Sequence, residues 1–306
     1  GRGARPPGRG PPLGGGGGGG GGGGWRRLRG RRAPAAVAPG QALVATEPRP
    51  QTAAASDVPL CVQGLSRHYG SLVVLDDISF SAHRGELLSI VGPNGAGKTT
   101  LMRCISNGRE RDKGHISVDG VDIGRRTPQG VAALGVGRSF QNTTLFDSLS
   151  VGDCLMLARG QRDGLDRWRR RPTLSLPAPA LRIVKATGLD QHLQEQTRYL
   201  SHGMKRGLEL AMVLATEPTV LLLDEPTAGL TKAERELIGE ILQDLAHHHG
   251  LCILLIEHDL DFVRQISSRI IVLHQGSLVL DGDVHQVVAS ETVKAIYAGE
   301  QLEAAP

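Results

Sequence analysis

The run Gly92-Pro93-Asn94-Gly95-Ala96-Gly97-Lys98-Thr99, followed by Thr100, has the residue types and spacing to hold phosphate. It reads G-x-x-x-x-G-K-T. Glycines let successive backbone N–H groups converge on an anion where side chains would block them. A helix starting there adds partial positive charge at its N-terminus. Lys98 supplies a mobile cation for the β- and γ-phosphates, and the Thr99 hydroxyl supplies an oxygen ligand for Mg²⁺. Strand, glycine loop and helix are the context this chemistry needs. Glu86 to Val91 is apolar enough for a buried strand, and Thr100 to Asn107 reads as a helix.

Two further stretches carry acids and an anion site. Val220-Leu221-Leu222-Leu223-Asp224-Glu225 is an apolar strand that ends in two carboxylates. The strand delivers Asp224 to a Mg²⁺ shell. Glu225, next along, is positioned to polarise an attacking water as general base. Leu200-Ser201-His202-Gly203-Met204 leads into a helix, so Ser201 and the following N–H groups form a second anion site. One ATP needs one phosphate loop. A second such site in the same chain implies two copies facing each other, each completing the other's nucleotide site. Tyr69, beside Gly70, is placed to stack on an adenine base.

The elements that must position these groups follow from the hydrophobic pattern. Leu60–Leu65 and Val73–Phe80 read as strands. So do His115–Asp119, Val136–Phe140, Thr219–Leu223, Leu251–Ile256, Ile270–His274 and Ser277–Leu280. Helices are expected from Ser150 to Leu157, Leu181 to Gly188 and Gly203 to Thr216. Another should open on a capping box, Thr231 with Glu234, and run to about His247. Residues 160–180, with Trp168 among arginines, read as a loop or insertion. Strands alternate with helices from residue 86 to 273, which specifies an α/β fold with a mostly parallel sheet. Ligands then bind at the carboxyl ends of its strands. Antiparallel strands flank that sheet before residue 86 and after 275.

Bulk properties narrow the function further. No apolar run is long enough to span a bilayer. Residues 1–56 hold nine arginines and one acid (Glu47), a net +8, whereas residues 57–306 hold 26 basic and 30 acidic groups, a net −4. The basic pI therefore belongs to the tail, and the body offers no electrostatic footprint for nucleic acid. Gly14 to Gly24 is an unbroken glycine run, so residues 1–56 are expected to lack fixed structure. Cys61, Cys104, Cys154 and Cys252 make no metal or disulfide pattern. His247-His248-His249-Gly250 suits a helix C-terminus better than a metal tract.

In combination and order these motifs resemble the ATP-binding subunits of ABC transporters, over about residues 58–300. The glycine loop matches Walker A, Val220–Glu225 Walker B, and Leu200–Met204 the signature loop. Gln141 matches the Q-loop glutamine, Ala228-Gly229-Leu230 the D-loop, His258 the switch histidine and Tyr69 the A-loop aromatic. Gly137-Arg-Ser-Phe-Gln141, Ile256-Glu-His-Asp259 and Lys294-Ala-Ile-Tyr-Ala-Gly-Glu300 are similar to the uptake group for branched-chain amino acids, other hydrophobic amino acids and urea. His202 replaces a glycine and Met204 a glutamine of the usual signature, and Thr231 stands where many D-loops carry Asp.

The resemblance implies an α/β P-loop NTPase of ABC type. A mostly parallel core carries a flanking antiparallel β subdomain and a helical subdomain at about 142–200. Residues 57–300 form the ATP-binding domain, with a short tail at 301–306. It implies ATP and Mg²⁺ as cofactors, with Thr99, Gln141 and Asp224 around the metal. Glu225, His258 and Gln141 would be catalytic, and Ser201, His202 and Gly203 would act in trans. Partners would be a second copy or related ATP-binding subunit, integral membrane permeases and, indirectly, a solute-binding protein. No nucleic acid is implied, and the place is the cytoplasmic face of the plasma membrane. The expected activity is ATP hydrolysis powering import of branched-chain amino acids, with urea or another small polar solute as the alternative. A ribosome- or DNA-acting ABC ATPase usually pairs two cassettes or carries an insertion, and neither is present. Glu225 and His258 argue against a non-hydrolysing regulator.

Overall fold

The computed structural model describes residues 43–46, 57–139, 145–163 and 174–303. In chain order the first elements are β1 (Val44–Ala45), β2 (Leu60–Tyr69), β3 (Leu72–Ala82), β4 (Leu87–Val91) and α1 (Lys98–Ser106). They are followed by β5 (Lys113–Val118), β6 (Val121–Asp122), α2 (Pro128–Ala132), β7 (Val136–Arg138) and α3 (Val151–Asp163). Next come β8 (Ser175–Leu176), α4 (Ala178–Ala186), α5 (His202–Leu214), β9 (Val220–Asp224) and α6 (Lys232–His249). The chain closes with β10 (Cys252–Ile256), α7 (Leu260–Ile266), β11 (Arg269–His274), β12 (Ser277–Asp283), α8 (Val284–Ala289) and α9 (Glu291–Glu303).

The main sheet runs β12-β11-β4-β10-β9-β7. From β11 to β7 every pairing is parallel, and β12 joins antiparallel through the β11 hairpin. β4, β9 and β10 are buried at every position, which is why they read as continuous apolar runs rather than alternating ones. Their side chains still alternate between two faces. Leu221, Leu223, Ile253 and Leu255 join the core built with α3, α4, α5 and α6. Val220, Leu222, Leu254 and Ile256 join the core shared with α1 and the second sheet. That second sheet, β3-β2-β5-β6, is antiparallel, as expected of the flanking β subdomain.

Helix boundaries follow local capping. Thr231 and Glu234 form the expected reciprocal box at the start of α6, and Gly250 closes it in the left-handed region (φ 64°). His247, His248 and His249 sit in that last turn, with His248 against Asp244 (3.0 Å). Ser150 and Asp153 make a second reciprocal pair at the start of α3.

Two expectations need correction. Residues 43–46, inside the tail expected to lack structure, form a parallel pair with β8: Thr46 N–H donates to the Leu176 carbonyl (2.7 Å), and the Thr46 and Ser175 hydroxyls meet at 2.7 Å. The composition of residues 1–56 averages a glycine run with Leu43-Val-Ala-Thr46, which is apolar enough to dock on the helical subdomain; Leu43 packs against its core. The stretch 160–180 is not all loop. α3 extends to Asp163, and Pro177 and Pro179 open α4, where the first helical turn tolerates a missing N–H. Trp168 lies outside the described residues, as do residues 1–42 and 47–56.

Candidate nucleotide-binding and hydrolysis site

Register brings the key groups together. Ile256 pairs with Asp224 on one side and Ile90 on the other, so β9, β10 and β4 end at one level. Their carboxyl ends therefore deliver Asp224-Glu225, Glu257-His258 and the Gly92 loop to one crevice.

The loop needs its glycines. Gly92 has φ 146°, and a Cβ there would lie 2.0 Å from the Leu273 carbonyl oxygen. Gly97 caps α1 at φ 103°, with the Val74 carbonyl 2.7 Å from where its Cβ would sit. Lys98 is 7% exposed, and its ammonium donates to the carbonyls of Gly92 (2.6 Å) and Pro93 (2.9 Å), which holds it over the loop. The Gly92 N–H donates to the Tyr297 hydroxyl of α9 (3.0 Å).

Asp224 is buried, and burial pushes its carboxyl above the usual range; Arg138 pulls the other way. Arg138 Nη2 lies 3.8 Å from Asp224 Oδ2 while Nη1 donates to Ser106 Oγ (2.7 Å). The Thr99 hydroxyl also bonds Asp224, whose Oδ1 is buried with no hydrogen-bond partner. A buried anionic oxygen in that state, beside a threonine hydroxyl, is the donor set a hard divalent cation takes. The residues present fit Mg²⁺.

Glu225 sits in the left-handed region (φ 51°), and its N–H donates to the Ile256 carbonyl (2.9 Å). That turn aims its carboxylate at His258, whose Nε2 donates to Glu225 Oε1 at 2.6 Å. The sequence reading missed the next neighbour. Glu257 is 5% exposed, and its Oε1 accepts from both the N–H (3.0 Å) and the hydroxyl (2.6 Å) of Thr227. Burial pushes the Glu257 carboxyl up; those Thr227 bonds oppose the shift. The available signal was a carboxylate straight after a buried strand, which must find partners.

The Ser201–Gly203 segment packs against the stretch after β9. Ser201 caps α5, its hydroxyl accepting from Met204 N–H (3.2 Å). His202 Nε2 donates to the Ala228 carbonyl (3.2 Å), so the residue that departs from the usual glycine gains a bond to the D-loop. A Cβ on Gly203 would lie 2.1 Å from Glu234 Oε1. Tyr69, at the tip of the β2–β3 hairpin, is 44% exposed, and the Arg67 guanidinium lies 4.4 Å from its ring centroid. Arg67 is itself held by Asp112 (2.9 Å). Gln141 lies outside the described residues.

A parallel sheet that presents a glycine loop, a lysine, a strand-end aspartate and a glutamate–histidine pair at one edge defines a P-loop nucleotide hydrolase. A family model described as ABC transporter matches residues 75–228. LivG of Salmonella typhimurium, a high-affinity branched-chain amino acid transport ATP-binding protein, is 34% identical over 250 residues, covering 79% of this chain and 98% of LivG. BraF of Pseudomonas aeruginosa, with the same description, is 31% identical over 78% of this chain and 97% of its own. Among solved structures, the ADP conformation of MJ1267, an ATP-binding cassette of an ABC transporter, superposes with TM-score 0.67 at 25% identity, covering 80% of this chain and 100% of that one. CbiO1 of Clostridium perfringens, part of the ABC transporter complex cbiONQ, gives 0.66 at 29% identity, covering 81% and 97%. The chain belongs to the ABC transporter family and is an ATP-binding subunit that hydrolyses ATP. Among the described residues no helix is long and apolar enough to cross a membrane.

Proposed function

We propose that this chain powers import of branched-chain amino acids through separate membrane subunits, working as a pair of ATP-binding subunits at the cytoplasmic face of the membrane. The observation that carries the chemistry is the Glu225–His258 pair at 2.6 Å, at the edge where the Gly92 loop and Asp224 also converge. The choice of solute rests on the likeness to LivG and BraF, which runs nearly their full length.

In this reading Lys98 and those backbone N–H groups of the Gly92–Thr100 loop that do not already donate within the protein bind the β- and γ-phosphates, and the Tyr69 ring stacks on the base. Thr99 and Asp224, with Gln141, would hold Mg²⁺, which when bound would supply positive charge to the phosphate oxygens. Glu225 takes the proton of the attacking water, and His258, donating to Glu225, keeps that carboxylate oriented. Ser201, His202 and Gly203 complete the γ-phosphate site of a second copy. Phosphoryl transfer is then positioning plus electrostatics, with little covalent work for the protein.

Glu225→Gln tests this. The amide keeps the shape and loses the base, so ATP binding should persist while turnover falls by about 10²-fold or more. The variant should also accumulate as an ATP-bound dimer in size-exclusion chromatography. Turnover at the parent rate would refute the assignment of Glu225. Uptake of labelled leucine, but not urea, by cells carrying the chain and its permeases is the expected transport result; urea uptake alone would overturn the solute.

A further inference from the structure

Glu257 lies next to the hydrolytic pair without belonging to it. Among the described residues it is one of few charged side chains that are buried, and Thr227, its partner, is 4% exposed. A carboxylate in that position is costly to bury unless donors are aimed at it. Three are: the Thr227 N–H and hydroxyl both reach Oε1, at 3.0 and 2.6 Å, and the backbone N–H of His258 also donates to the carboxylate. The bond to Thr227 joins two strand ends. Thr227 lies two residues beyond Glu225, after Pro226, and Glu257 lies one residue before His258. A second tie runs in parallel, Glu225 N–H to the Ile256 carbonyl at 2.9 Å. Between these two ties Glu225 holds φ 51°, a backbone conformation that a non-glycine residue keeps only when its surroundings impose it.

We infer that Glu257 is a positioning residue for hydrolysis: its buried carboxylate clamps the Thr227 turn, fixing the left-handed Glu225 against His258. This rests on the reading of Glu225 as base. The Glu257 carboxylate makes its contacts with the protein, to Thr227 and to the His258 backbone N–H. It acts through Thr227 on the turn that carries Glu225, and through its chain neighbour on His258. Losing the clamp lets Glu225 relax toward ordinary backbone and away from the imidazole. The phosphate loop, on β4 and α1, is left as it was.

The separation of binding from turnover is therefore the diagnostic. Thr227→Val removes the hydroxyl with almost no change in shape, and Thr227→Ser restores it. In the full chain Thr227→Val should lower kcat about 10-fold, less than the roughly 10²-fold that a full 1 Å misplacement costs, because the Glu225 N–H tie to Ile256 remains. KM for ATP and the affinity for a fluorescent ATP analogue should stay within about 2-fold of the parent. Thr227→Ser should recover kcat to within about 2-fold. Glu257→Leu should fall further, and the double variant Glu257→Leu/Thr227→Val should be no worse than Glu257→Leu alone, because the two side chains act as one unit. If Glu257→Leu does not fold, the Thr227 pair still decides. A Thr227→Val enzyme with parent kcat, or a loss that Thr227→Ser does not recover, overturns the inference. Glu225→Gln, assayed alongside, separates the two failures. An inactive Glu225→Gln with a fully active Thr227→Val refutes the clamp alone; an active Glu225→Gln refutes the base assignment itself.

Discussion

Gly203→Ala separates what the segment at the start of α5 does for stability from what it does for hydrolysis. An added Cβ would lie 2.1 Å from Glu234 Oε1 and 2.8 Å from its Cδ. Ordinary carbon–oxygen contacts begin at about 3.3 Å, so the methyl is about 1.2 Å short of room. Glu234 is not free to swing away without loss. Its Oε2 accepts from the Thr231 N–H (2.9 Å) and hydroxyl (2.8 Å), the reciprocal cap of α6. Losing that cap costs about 0.5–2 kcal/mol. In a domain of this size that is about 1–8 °C in Tm, and the fold survives. The other response is a shift of the α5 start by about 1 Å, which at a reacting centre costs about 10²-fold in rate. Gly203→Ala is therefore expected to melt a few degrees lower, to bind a fluorescent ATP analogue like the parent, and to release phosphate about 10²-fold more slowly at saturating ATP. Glu234→Ala alone should lower Tm by the same few degrees with little effect on rate. In the double variant Gly203→Ala/Glu234→Ala the obstruction is gone, so the rate should return to within about 10-fold of the parent while Tm stays low. A double variant as slow as Gly203→Ala would refute the steric reasoning. Parent-rate hydrolysis by Gly203→Ala would refute the assignment of this segment to the γ-phosphate.

Tyr69→Ala should weaken ATP binding about 5- to 100-fold, the worth of one base–aromatic stack, while Tyr69→Trp stays within about 3-fold; competition against a fluorescent analogue reads both. Asp112 carries a pH signature. The His68 N–H, chiefly, holds its carboxyl below the usual range, with Arg67 acting in the same direction. A depressed folded-state pKa contributes stability that is present above the unfolded value of about 3.9 and lost as pH falls through the folded value. The Tm gap between the parent and Asp112→Asn is thus expected to be widest near neutral pH and to close below about pH 4. A gap of constant size from pH 7 to pH 3 would count against that origin.

The parts of the fold legible in the sequence are those decided within one segment. Leu87–Val91, Val220–Asp224 and Cys252–Ile256 are buried on both faces, so each announces itself as an unbroken apolar run. The Thr231–Glu234 cap shows in four residues. What was hidden depends on partners distant in the chain. β1 exists only because Ser175-Leu176 offers it an edge, and two residues in a tail dominated by glycine carry no periodic signal. Val121–Asp122 and Pro128–Ala132 are too short to show a period, and they stand because Ile123 and Val131 reach the core beneath α1.

The candidate site divides along the same line, which says something about how such sites are specified. Gly92–Thr99 is legible because its chemistry forces residue types: a Cβ at Gly92 or Gly97 would strike backbone carbonyls, so no other residue serves. Asp224, Glu225 and His258 are legible because they end apolar strands or lie within two residues of their ends. Their mutual geometry is not. It follows from the pairing of Ile256 with Asp224, a parallel register set by every side chain along β9 and β10. Slipping that register by one residue would move the whole apolar set of each strand to the other face, so the two cores beneath the sheet enforce the 2.6 Å approach of His258 to Glu225. The same register places Glu257 against Thr227, and His202 is placed against Ala228 by the packing of α5. Sequence motifs thus name the groups that meet the nucleotide, whereas the bonds that aim those groups are written in the core.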